Sequence, residues 1–158
     1  MRRSRLSLPL MVIALLLCGV VLAACGGDGG GSKDEYKQGM RAVGVDISKA
    51  SDAVADLPAT ANAPQRAAAI KGQQKAIAAA AARAKKLDPP SDAKGEHDKL
   101  VVALEDYAAL LGQLSAASGD TAKEATLIGD AGPIVDRLGS ASTALEKLGY
   151  DFNTDGKA

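Results

Sequence analysis

The chain has 158 residues, with 19 basic and 19 acidic side chains. That is enough for one ordinary domain with one core, and it lacks the basic excess that coating nucleic acid requires. It is rich in alanine, has no Trp, one Phe and three Tyr, and small apolar residues of good helix propensity argue against a sheet and for an all-α class.

The chain opens with Arg2, Arg3 and Arg5, followed by an apolar segment from Leu10 to Ala24. This segment is shorter than the ~20 residues that span a bilayer. It ends in Leu22-Ala23-Ala24-Cys25: an aliphatic residue, two small residues and a cysteine. The stretch resembles the lipobox of bacterial lipoprotein signal peptides, and the resemblance implies cleavage before Cys25 and a diacylglyceryl group on its sulfur. Two acyl chains anchor stably where one binds only marginally, at ~0.8 kcal/mol per buried methylene. The leading arginines then stay in the cytoplasm and the body of the protein lies outside it. Removing residues 1–24 takes away three arginines and no acids, which leaves 134 residues with 16 basic and 19 acidic side chains. Cys18 leaves with the leader and Cys25 becomes a thioether, so no thiol remains for a disulfide, a zinc site or a nucleophile.

Residues 25–32 continue as a flexible Gly-rich tether, Gly-Gly-Asp-Gly-Gly-Gly-Ser after the cysteine. The root-mean-square span of those seven residues is roughly 15 Å. Gly26 occupies the place where the lipoprotein resemblance makes Asp a signal for inner-membrane retention in double-membrane bacteria.

Residues 33–149 read as a helical bundle. The first helix opens with Ser32-x-x-Glu35 as a capping box. Its apolar seam is Tyr36, Met40, Val43, Ile47, Ala50, Val54 and Leu57, alternating four and three apart, as bundle packing requires. Pro58 and the Thr-Ala-Asn-Ala-Pro run end it. The second helix follows Asn62 with Ala67, Ile70, Ile77, Ala81 and Ala84 on one side and Gln74 interrupting the row. Every charge between Leu57 and Leu87 is basic. Asp88-Pro89-Pro90 stops that helix.

The third helix is expected from Ser91 through Leu100, Val101, Leu104, Tyr107, Leu111 and Leu114 to a Gly119 stop. The stretch from Leu87 to Leu114, with its proline pair, His97 and spaced leucines, is similar to a pattern of uncharacterised helical lipoproteins of bacteria, which implies a bundle and no activity. The fourth helix is expected to open with Thr121-x-x-Glu124 as a second capping box. It continues with Leu127, Ile128, Ile134, Val135, Leu138, Leu145 and Leu148 to Gly149, with Pro133 kinking or splitting it. Short connections between four amphipathic helices predict an antiparallel up-down bundle, followed by a polar tail over 150–158.

Candidate chemistry is sparse. Asp151, Asn153, Asp155 and Gly156 match the first half of a calcium loop, but the chain ends at Ala158 before the position of the bidentate glutamate, so the metal site is incomplete. His97 is the only histidine. Neither a Glu-x-x-His pair for a di-iron bundle nor a CxxCH haem motif occurs, and no cofactor is expected, although a Met40–His97 haem pair is conceivable. His97 reads as a first-turn histidine at a bundle end. No G-x-S-x-G and no P-loop is present, so a non-catalytic protein is expected. The basic face of the second helix, carrying Lys71, Lys75 and Lys86, is the strongest interaction feature. It would meet anionic headgroups, an anionic envelope polymer or an envelope protein, or exchange charge with the acidic third helix. The expectation is a membrane-anchored extracytoplasmic lipoprotein that binds a partner, the alternative being a binder of a metal ion or small molecule between its helices.

Overall fold

The computed structural model describes residues 31–150, Ala59 excepted. Four helices account for most of them: α1 (Lys33–Ala55), α2 (Ala63–Ala84), α3 (Lys94–Ala117) and α4 (Thr121–Lys147), and no strand occurs among the described residues. Consecutive helices run antiparallel. Arg83 of α2 meets Asp46 of α1 while Leu87 lies against Gly39. Ser115 near the end of α3 bonds the Ala67 carbonyl near the start of α2. Arg137 of α4 pairs with Asp106 of α3. The architecture is the all-α up-down four-helix bundle that the sequence predicts.

The helix starts show what each local sequence does. The Ser32 hydroxyl accepts from the Glu35 amide. Asn62 and Gln65 form a reciprocal capping box, each side chain satisfying the other's backbone N–H, with Pro64 in the first turn, where a missing N–H costs nothing. Two boundaries differ from the sequence expectation. α3 begins at Lys94 rather than Ser91, because residues 91–93 form a turn in which the Pro90 carbonyl accepts from Ala93 and Lys94. Asp92, the best capping side chain there, instead holds Lys33 and Tyr150. α4 is capped by Asp120, whose carboxylate accepts from Lys123, and not by Thr121; Glu124 reaches back to the Gly119 amide. Gly119 can end the preceding element because its φ of 103° is open to glycine.

Pro133 does not split α4, which runs unbroken through it. Pro133 has no N–H to give the Gly129 carbonyl, and Gly129, Gly132 and Pro133 are all exposed, so water can satisfy that carbonyl.

One core runs through all four helices: Tyr36, Met40, Val43 and Ala50 from α1, Ile77, Ala80, Ala81 and Ala84 from α2, Leu100, Leu104 and Leu111 from α3, Ala141 and Leu145 from α4. The alanines of α2 let its neighbours approach, as the narrow stripe predicts. A smaller cluster of Leu110, Ala117 and Leu127 closes the far end between α3 and α4. α3 is the one described helix long and apolar enough to cross a membrane, and 44% of that window is buried inside the bundle, the pattern of a core helix. α4 is apolar on more than its inner side: Ile128, Val135 and Leu148 are 64%, 51% and 41% exposed. These three do not join the seam the sequence places them in.

The ring of helices is not closed by packing on all sides. α1 packs on α2, α2 on α3 and α3 on α4, while α1 and α4 make no Cα approach within 8 Å among the described residues. Tyr150, just after α4, bridges that gap. It is 0% exposed and stacks edge-on against Tyr36 with ring centroids 5.2 Å apart. The bundle therefore includes a residue that the sequence reading assigns to the polar tail.

Candidate functional site

The antiparallel arrangement brings the start of α1, the end of α2, the start of α3 and the end of α4 to one end of the molecule, where residue 31 enters. Gly31 lies against Asp88 there, close enough that a β-carbon would collide with the Asp88 carbonyl. Cys25 and residues 26–30 precede this point, and Asp151, Asn153 and Asp155 follow Tyr150; the expected lipidation site and the candidate calcium half-loop both lie outside the described residues.

Five polar side chains organise this end. The Tyr36 hydroxyl and Nδ1 of His97 are 3.0 Å apart in a buried hydrogen bond, and the two rings meet edge-on at 5.5 Å. Tyr150 donates to Asp92 at 2.7 Å, and Lys33 reaches the other Asp92 oxygen at 3.0 Å while lying over the Tyr150 ring. Burial pushes the Tyr36 phenol well above its ordinary value, with the nearby Tyr150 and Asp98 adding to the shift. Burial also holds His97 below the usual histidine range, against the opposing pull of Asp98. Asp92 is held low, first by the Tyr150 hydrogen bond and then by Lys33. The hydrogen-bond partner of His97 is thus a tyrosine 61 residues away. Both Met40 and His97 are enclosed in the core, and among the described residues no three His, Cys, Asp or Glu side chains lie together as metal ligands.

The basic face of α2 divides into two groups. Arg83 pairs with Asp46 and Lys85 with Glu105, so charge exchange with α1 and α3 accounts for those two. Arg66 donates to the Ala61 carbonyl. Lys71, Lys75 and Lys86 are exposed and belong to no ion pair among the described residues. Lys71 and Lys75 lie within about 40° of one another around the helix. The exposed positions beside them are Ala78, Ala79 and Ala82, so no acidic side chain of α2 neutralises the row. The surface also carries two grooves. One of about 520 Å³ between α3 and α4 has Val102 and Ala141 in its floor and Lys99, Asp136 and Arg137 at its rim. The other, about 490 Å³, lies between α1 and α2 beside Gln73.

The chain matches no family model, no curated protein and no solved structure.

Proposed function

We propose that the protein is a membrane-anchored extracytoplasmic lipoprotein whose bundle is a non-catalytic binding module at the cell envelope. The observation that carries this reading is Leu22-Ala23-Ala24-Cys25 after a basic, apolar leader. The first described helix, α1, is capped by Ser32 and starts at Lys33, directly after the stretch that the sequence reads as a tether. The membrane is met through the diacylglyceryl group on Cys25, and a further partner, an anionic polymer or an envelope protein, through Lys71, Lys75 and Lys86.

Helix geometry separates these roles. Lys86 lies at the tether end, whereas Lys75 and Lys71 stand about 16 and 22 Å further along α2 at 1.5 Å per residue. With a screening length of about 8 Å, an upright bundle presents only Lys86 to headgroups and leaves Lys71 and Lys75 for a partner above the bilayer.

The test is intact mass and membrane fractionation from the host, with Cys25→Ser alongside. The native chain should gain the mass of a diacylglyceryl group and sediment with membranes, and the variant should lose both. An unmodified Cys25 sinks the reading. A second reading, a binder of a small molecule, draws on the groove floored by Val102 and Ala141. It predicts a dose-dependent thermal shift with such a ligand that Val102→Glu abolishes.

A further inference from the structure

His97 sits where all four helices end, is 3% exposed, and its Nδ1 is paired with the Tyr36 hydroxyl. A neutral imidazole can leave Nδ1 bare to accept from that hydroxyl, whereas an imidazolium has only donors. Tyr36 in turn stacks on Tyr150, the bridge across the open side between α1 and α4. One neutral imidazole thus ties α3 to α1 directly, and to the residue that follows α4 through one further ring.

We propose that the Tyr36–His97 pair is an acid-sensitive clasp, in which protonation of His97 loosens the end of the bundle where residue 31 enters while the opposite end stays packed. A proton on Nδ1 faces the phenol O–H head-on. The phenol must turn its own proton away and loses the acceptor it is paired with. The charge created is poorly compensated. From α1 the ring faces Tyr36, with Lys33 and Tyr150 beyond it; from the segment after α2, Lys85; from α3, Lys94, Asp98 and Glu105. The carboxylates among and beside these are engaged elsewhere: Asp98 with Lys94, Glu105 with Lys85, Asp92 with Lys33 and Tyr150. A small surface cavity lined by Lys94, His97 and Asp98 gives the proton a way in. The opposite end has its own cluster, Leu110, Ala117 and Leu127, together with the Ser115–Ala67 hydrogen bond, and contains no histidine.

The sign follows from linkage. Burial keeps His97 below its unfolded value of about 6.5. The unfolded chain therefore takes up the proton first, and stability falls as pH drops through that value until the folded protein titrates as well. The folding constant drops about tenfold for each pH unit separating the two.

The experiment is urea unfolding of the full chain at pH 7.5, 6.5 and 5.5 beside His97→Gln, whose amide can accept from Tyr36 without titrating. Amide hydrogen-exchange protection at the two ends is read at the same pH values. The wild type should lose stability on acidification while the variant stays level. Protection should fall at residues 33–40, 94–101 and 145–150 and persist at 110–117 and 124–131. An equal slope in both proteins, a level wild type, or an equal loss at both ends overturns the proposal. Should His97→Gln not fold, the His97 ring titrated by NMR in the wild type decides: a midpoint below about 6.5 agrees, and one at or above it refutes.

Discussion

Tyr36 is 2% exposed and ends in a hydroxyl, which is tolerable in a core only because His97 pairs with it. Tyr36→Phe keeps the ring packing and leaves Nδ1 of His97 buried without a donor. The expected cost is about 1–3 kcal/mol, read as a lower urea midpoint with an unchanged slope. Asp92 titrates in a different window. Its carboxyl is held below the ordinary value by Tyr150 first and Lys33 second. Stability from a depressed carboxyl is present above the unfolded value and is lost as pH falls through the folded one, hence below about pH 4. Tyr150→Phe removes the larger cause, so the loss of stability between pH 5 and pH 3 should shrink in that variant. An unchanged acid limb would show that Lys33 alone holds Asp92 low.

Among the elements, α4 departs most from what its sequence suggests. It starts on Asp120, so Asp120→Ala should cost about 1 kcal/mol, the usual worth of an N-cap, and Thr121→Ala should cost less. Equal effects in thermal unfolding would return the cap to Thr121. Pro133 lies on the exposed side of an unbroken helix. Replacing it with Ala restores a backbone hydrogen bond and removes a poor helix former, and should raise stability by up to ~3 kcal/mol. A loss instead would mean that a bend at Pro133 is needed for α4 to follow α3. Ile128 and Val135 lie exposed because α4 packs on α3 alone; their spacing is apolar and regular, but nothing in the bundle reaches that side.

For the whole molecule, α2 and α3 are the central pair, since each has a packed helix on both sides, and α3 contributes more to the core, with nine buried positions. Leu104, 1% exposed, touches the core from this helix. Leu104→Ala should cost 2–5 kcal/mol, as truncation of an enclosed leucine does. Hydrogen exchange should be slowest in the middle of α3 and fastest on the outer side of α4. Exchange that is slowest in α1 would contradict this order.

The sequence by itself determined the class, the number of helices, most of their ends and most of the α1 and α3 seams. Periodicity, prolines and glycines act over a few residues, and an alternation of three and four apart leaves a helix only one side to bury. The proposed lipobox rests on residue type and order along the chain alone. The tertiary structure decided which apolar residues found a neighbour and which polar ones met. Ile128 and Val135 repeat at helical spacing as well as Leu127 and Ile134 do, and only the position of α3 separates them. Tyr150 looked like the start of a tail because no local pattern records that α1 and α4 stand apart and that a ring is needed between them. The same holds for His97 with Tyr36 and for Asp92 with Tyr150. These pairs lie 61 and 58 residues apart, and hydrogen bonds of that range exist only once the helix ends have been brought together.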